Sequence, residues 1–359
     1  MASMRILDLV YRPVRIYLKE PFVIANENYS YCDVMVIKIK TDGFEGVGEA
    51  APDEVVTGEN IKTVFRALGK LKKTLVKSHV DDIGETMYKL GEILPLNRTA
   101  KAGVDIALYD AMGKHTGKSV SRLLGGRKLR METSVTIGIT RLEDSVMEAV
   151  RYKRDGFKVL KVKVGLDACE DERRLRLIRE AVGERIRIIV DANQGYSVKE
   201  AISFTKRTRD IGINFVEQPV RADDLKGLKA VRDASDIPIM ADESLNSPED
   251  LARIIKIKAA DMINIKLMKV GGISAALEMA RTAKENGIMV MTGCMDETKV
   301  GITAGMHFST ASSGVDLVDL DSYLSHRNEI AVGGVATIKG VNRIYNEPGL
   351  GLMLKEGVL

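Results

Sequence analysis

The chain has 359 residues, 45% hydrophobic and 29% charged, with 54 basic against 50 acidic side chains and a net charge of +4. This composition fits a globular chain with a sizeable core, organised as two domains or one large barrel with additions. It excludes two partner classes: no basic stripe interleaved with aromatics supports nucleic-acid binding, and no apolar run approaches the roughly 18 residues of a membrane span.

The three cysteines, Cys32, Cys169 and Cys294, are too scattered for a zinc framework or a disulfide scaffold, and no signal-like segment follows Met1. Both point to a reducing cytoplasm. In chain order, the first 52 residues read as β. Arg5–Tyr17 and Asp33–Lys40 carry β-branched alternation, and Thr41-Asp42-Gly43 is a turn before Glu45–Glu49. Lys19–Tyr31 contains Pro21, Asn26 and Asn28 without a period, which predicts a long loop of the kind that often carries function. Helical patterns follow near 59–77, 81–94 and 98–116, the last ending at Gly117. Strands followed by helices predict an α+β domain over residues 1–125.

Beyond Leu123-Leu124-Gly125-Gly126 the texture changes. Short apolar strands near 133–139, 159–164, 187–191, 213–217, 237–241, 261–266, 288–292 and 315–319 alternate with amphipathic stretches. Examples are Asp171–Val182, Val198–Arg209, Asp223–Ala234, Pro248–Ile257 and Ile273–Asn286. Eight such units predict an α/β fold, a TIM-like (β/α)8 barrel over 126–339. The α+β domain caps it, and the tail, 340–359, returns to complete that cap. A doubly wound sheet is the alternative, but it carries a Gly-rich phosphate turn that is missing here.

Alternation decides which side chains enter the barrel. In Leu160-Lys161-Val162-Lys163-Val164 the apolar residues suit the helix layer, so both lysines point inward. Two ammonium groups one pleat apart repel, which is expected to lower at least one pKa and yield a base near neutral pH. The alternative is an exposed edge strand with solvated lysines. Asp191, Glu217 and Asp242 close the next three strands at one height. Three clustered carboxylates repel unless a cation joins them, and hard oxygen donors without histidine favour Mg²⁺. Separately, each could be a helix cap or an ion pair. On strand six, Met262-Ile263-Asn264-Ile265-Lys266 sends Lys266 inward, across the barrel from Lys163. An amine on each side of one carbon is what two-base racemisation requires, with the metal and Lys161 stabilising the enolate.

Lys161-Val162-Lys163, the Asp191/Glu217/Asp242 series and Lys266 together resemble the muconate-lactonizing subgroup of the enolase superfamily, over nearly the whole chain. The resemblance implies an isomerase in which Lys163 and Lys266 are the acid/base pair, the three acids bind Mg²⁺, and Lys161 polarises the substrate carboxylate. It also implies a homo-oligomer.

Within that subgroup, Val318-Asp319-Leu320-Asp321, with Gly293-Cys294-Met295 and Thr136, is similar to the dipeptide epimerases. There the acidic pair grips the α-ammonium of a dipeptide whose C-terminal residue is epimerised. Capping of a following turn is the other reading of Asp319 and Asp321. Ala-Glu epimerases are expected to carry an arginine in the early loop, and Pro21-Phe22-Val23-Ile24-Ala25-Asn26 has none. Asp53, Glu54 and Asp296 instead point to a basic or hydrophobic second residue, unless they are solvated loop charges. N-succinylamino acid racemase, o-succinylbenzoate synthase and muconate cycloisomerase remain alternatives, and a non-catalytic binding barrel is a further one. No catalysis is assigned to His79 and His115, placed in the first domain's helices, or to His307 and His326.

Overall fold

The computed structural model describes residues 3–25 and 27–359; Met1, Ala2 and Asn26 of the expected loop lie outside the described residues. The N-terminal unit is an antiparallel sheet with strand order Glu45–Ala50, Asn28–Thr41, Met4–Val23, His79–Val80. The sheet buries Leu9, Met35, Ile37 and Ile39 on one face and Val34, Val36 and Val47 on the other. Helices Ile61–Leu75, Ile83–Ile93 and Arg98–Thr116 follow. Gly117 ends the last in a left-handed conformation (φ 66°), which glycine adopts without the cost of a Cβ. That helix lies so close to strand Glu45–Ala50 that a Cβ on Gly48 would stand 2.0 Å from Gly103 O. His79 sits in the short edge strand rather than in a helix.

Lys19–Tyr31 is not a long loop but the upper part of a β-hairpin. Pairing reaches Tyr17↔Tyr31, breaks register, and resumes at Phe22↔Tyr29 and Val23↔Asn28, and Ile24 N–H donates to Glu27 O at the tip. The irregularity sets residues 18–21 against the single residue Ser30, so the period of two that marks a strand is lost. The bulged stretch pairs elsewhere. Leu18 bridges to His326, Arg327 N–H donates to Tyr17 O, and Lys19 Nζ donates to Leu324 O.

The second unit is an eight-stranded parallel barrel: Val135–Ile137, Val159–Lys163, Arg187–Asp191, Ile213–Glu217, Ile239–Ala241, Met262–Lys266, Met289–Gly293 and Leu317–Val318, each beside the next. A Thr133↔Val318 bridge joins the first and last strands. Helices Leu142–Arg154, Ala168–Val182, Val198–Thr208, Leu225–Ala234, Pro248–Ile257, Ile273–Glu285 and Lys299–Ala311 cover its outside. After strand eight the chain makes a 3₁₀ turn, Ser322–Ser325, in place of an eighth helix. Among the described residues no helix is long and apolar enough to cross a membrane.

The barrel interior is built in tiers. Val159, Ile189, Phe215, Met240, Met262 and Met291 form an apolar plug separate from the main core, with Leu317 against it. Two residues further along each strand stand Lys161, Asp191, Glu217, Asp242, Asn264, Gly293 and Asp319. Period-two alternation thus stacks charge directly on an apolar base.

Buried carboxyls of the first unit cap barrel helices. Glu49 accepts from Thr298 N–H (2.8 Å), the Thr298 hydroxyl and Gly301 N–H at the start of Lys299–Ala311. Asp105 accepts from Ser274 N–H (3.1 Å) and Oγ (2.6 Å) at the start of Ile273–Glu285. Burial raises both carboxyls to about 7. The tail divides its contacts. Val341–Arg343 pairs with Arg130–Glu132, while Gly349 bridges to Ser119 and Leu350 N–H donates to Asp110 Oδ1.

Candidate active site

A cavity of about 870 Å³ opens at the C-terminal end of the barrel strands, the end where barrels of this kind carry their sites. Its lining includes Lys161 and Lys163 from strand two, Lys266 from strand six, and Asp319 and Asp321 from just beyond strand eight. Thr136, Cys294, Met295, Asp296 and Asp53 complete the sequence-predicted set that meets there. Glu54 does not: it is exposed in the first turn of the short helix Glu54–Thr57, where Asn60 Nδ2 donates to it at 3.3 Å.

Below the cavity floor, Asp191, Glu217 and Asp242 are fully buried, and each offers an oxygen within 4.8 Å of the others. An octahedral Mg²⁺ with bonds of about 2.1 Å is spanned by such a set. Lysines reach into it. Lys161 Nζ lies 3.0 Å from Asp191, 2.8 Å from Glu217 and 2.7 Å from Asp319. Lys163 Nζ is 2.8 Å from Asp191, and Lys266 Nζ is 2.8 Å from Asp242.

The lysines satisfy the acids incompletely. Glu217 Oε2 and Asp242 Oδ2 each have an ammonium at 2.8 Å, yet neither accepts a well-directed hydrogen bond. Burial and the neighbouring Asp191 charge push Glu217 up to about 8. Three close, buried carboxylates with no histidine or sulfur among them form a donor set that fits a hard dication.

The expected depression of a lysine pKa is not what Lys161 undergoes. Burial alone would lower it, but Asp191, Asp319 and Glu217 surround the ammonium and hold it well above the usual lysine range. Burial is likewise outweighed at Lys266, which Asp242 raises. Repulsion between neighbouring lysines is outweighed by the carboxylates that Lys161 and Lys266 meet.

Asp319 and Asp321 are not turn caps. Asp321 precedes the 3₁₀ turn but makes no side-chain cap bond, and its Oδ2 accepts the Thr136 backbone N–H at 2.7 Å. Burial and the adjacent Asp319 raise it to about 6. Asp319 takes the Ser134 hydroxyl and Lys161 Nζ.

Several contributors escaped the sequence reading. Lys269, fully buried in the short helix Leu267–Val270, holds Asp242 through its carboxylate and its carbonyl. Asn193 Oδ1 accepts from Lys163 Nζ at 2.8 Å while its Nδ2 donates to Glu243 at 3.1 Å. Asn264 Nδ2 donates to Glu217 at 2.7 Å, and a Cβ on Gly293 would stand 2.5 Å from Asn264 Oδ1. At the hairpin tip, the Tyr29 hydroxyl bonds to Glu27 and lies 3.2 Å from Asp53 Oδ2. Asn193 and Asn264 share the inward face of their strands with the named acids and Lys266, which was the available signal. Glu27 and Lys269 had none.

Residues 6–125 match the N-terminal domain of the mandelate racemase/muconate lactonizing enzyme family, and 144–358 match the enolase C-terminal domain-like family. The chain belongs to the enolase superfamily. This enolase-superfamily chain is 39% identical to an L-Ala-D/L-Glu epimerase of Clostridium acetobutylicum, across 97% of its own length and 99% of the relative's. It is 35% identical to an N-succinyl-L-Arg/Lys racemase of Bacillus cereus, across 99% and 97%. Among solved structures, the Methylococcus capsulatus dipeptide epimerase complexed with Mg and L-Arg-D-Lys superposes with a TM-score of 0.91 at 35% identity, covering 98% of this chain and 100% of that one. Relatives that are epimerases and racemases make this superfamily member an isomerase.

Proposed function

We propose that the protein is a Mg²⁺-dependent dipeptide epimerase that inverts the α-carbon of the C-terminal residue of an L,L-dipeptide. The carrying observation is that Lys163 and Lys266 line one cavity from barrel strands two and six, four staves apart in an eight-stranded ring, with Asp191, Glu217 and Asp242 below. One of Lys163 and Lys266, as the amine, takes the α-proton from one face, and the other, as the ammonium, delivers a proton to the opposite face. The return reaction exchanges their roles. Lys161 donates to the substrate carboxylate as charge develops there. Asp191, Glu217 and Asp242 would hold Mg²⁺, which would supply Lewis-acid stabilisation of the enolate charge.

Asp321, with Asp319 beside it, receives the dipeptide ammonium. Burial and then the adjacent Asp319 charge raise the Asp321 pKa, and a bound cation would offset that second contribution. For the second side chain, Glu27, Asp53 and Asp296 crowd one end of the site. Burial and then the Asp53 charge raise Glu27 to about 7 and Asp296 to about 6. Phe22, Ile24 and Val56 supply apolar wall. This supports a basic side chain with an aliphatic stem, or a hydrophobic one, over an acidic one. An N-succinylamino acid racemase or o-succinylbenzoate synthase would set an acyl group, not an ammonium, against Asp321. The reading includes a cytoplasmic, self-associating enzyme.

The test is an L,L-dipeptide library incubated with enzyme and Mg²⁺ in D₂O and followed by mass spectrometry. One deuterium should enter at the second residue's α-carbon, fastest for Lys, Arg and hydrophobic side chains, and Asp321→Asn should suppress it. Incorporation into N-succinylamino acids but into no dipeptide would transfer the assignment to the acyl-substrate racemases.

A further inference from the structure

We infer that Arg174 and Asp171, with Tyr196, are positioning residues for Lys163, holding the end of barrel strand two so that its amine meets the substrate carbon. The inference rests on the two-base reading above. Arg174 and Asp171 lie one turn apart on helix Ala168–Val182, paired at 3.3 Å and buried. Arg174 Nη1 donates to the Lys163 carbonyl at 3.1 Å. Asp171 Oδ2 accepts the Gly165 N–H at 2.9 Å and the Tyr196 hydroxyl at 2.7 Å. One ion pair therefore grips the backbone at Lys163 and again two residues beyond it.

Stability gives a poor account of this arrangement. A buried ion pair is seldom more stabilising than well-packed apolar side chains of similar volume. Here the pair is also imperfect, because Arg174 Nε and Asp171 Oδ1 make no hydrogen bond. Its geometry is directed at the strand end. Gly165 has φ +113°, and a Cβ there would stand 2.4 Å from Ala192 O and 3.1 Å from the Ala25 Cβ of the hairpin tip. The turn that Asp171 fixes is thus wedged between strand three and the hairpin, and Lys163 projects beside it. Among the described residues no ion pair grips the Lys266 backbone in this way; its strand runs straight into helix Leu267–Val270.

That asymmetry makes the idea testable. Each lysine serves one epimer: it removes the α-proton, exchanges it with solvent, and returns a deuteron to the same face. Lys163→Ala identifies the epimer that Lys163 serves, as the one whose exchange disappears. Arg174→Gln should slow exchange of that epimer by about tenfold or more, the order of loss expected for a misplaced reacting group. The other epimer should exchange at nearly the wild-type rate, and epimerisation should lose kcat with KM unchanged.

Tyr196→Phe removes one hydroxyl from Asp171 and should give a smaller loss on the same side; it decides the matter should Arg174→Gln not fold. Equal losses for both epimers, or none in either variant, would overturn the positioning role while leaving the two-base reading intact. Wild-type enzyme that exchanges neither epimer of any library dipeptide would remove both.

Discussion

The two tiers of the barrel interior stand on the same strands and differ in everything their side chains do. The lower tier, Val159, Ile189, Phe215, Met240, Met262 and Met291, buries apolar surface without a polar group. The upper tier sets Lys161 among Asp191, Glu217 and Asp319, and Lys163 and Lys266, one pleat higher, reach Asp191 and Asp242. Desolvating that many charges is unfavourable, so the lower tier and the helices outside must supply the stability that the upper tier spends. The lesson is a division of labour within single strands, two residues apart.

Substitutions in the two tiers should therefore separate activity from stability. Lys163→Ala or Lys266→Ala should lower kcat by about 10³-fold, while the thermal midpoint, followed by circular dichroism, stays near wild type. A large drop in midpoint would show that the upper tier also holds the fold. Phe215→Ala, in the plug, should cost about 3–5 kcal/mol in urea unfolding and leave kcat of the folded enzyme little changed. Mg²⁺ at about one hundred times its Kd should stabilise the protein by about 2.7 kcal/mol. Glu217→Gln should abolish that shift in a thermal scan, and a persisting shift would place the ion elsewhere.

The smallest effect lies outside both tiers, in the capping carboxyls Glu49 and Asp105. Burial raises each to about 7, so the folded state holds these protons more tightly than the unfolded chain. Their contribution is complete below the usual carboxyl range and is lost as pH rises through about 7. Between pH 6 and 9 each should cost about 1 kcal/mol, and Glu49→Gln with Asp105→Asn should flatten that slope in urea midpoints.

The sequence made the upper tier legible because inward residues recur every second position and acids close successive strands. Lys161, Lys163, Asp191, Glu217, Asp242 and Lys266 all follow from that rule. What escaped it lies where the period changes. Lys269 comes from a helical turn immediately after strand six, and the hairpin lost its alternation at the 18–21 bulge. Glu49 and Asp105 cap helices nearly 250 and 170 residues away, a pairing that local patterns do not carry. The raised pKa of Lys161 escaped for a related reason: it depends on which carboxylates that ammonium reaches across the barrel.

The hairpin stem, joined to residues 324–328 through Leu18, Tyr17 and Lys19, makes the two ends of the recognition surface inherit together. Glu27 and Asp53 belong to the first unit and Asp296 to the barrel, whereas Asp321 sits at the head of the very segment that the stem grips. New preferences for one substrate residue can therefore arise by changing the hairpin tip alone. Grafting a whole N-terminal unit from a relative would have to bring residues 322–328 with it, or the foreign stem would have nothing to seat against.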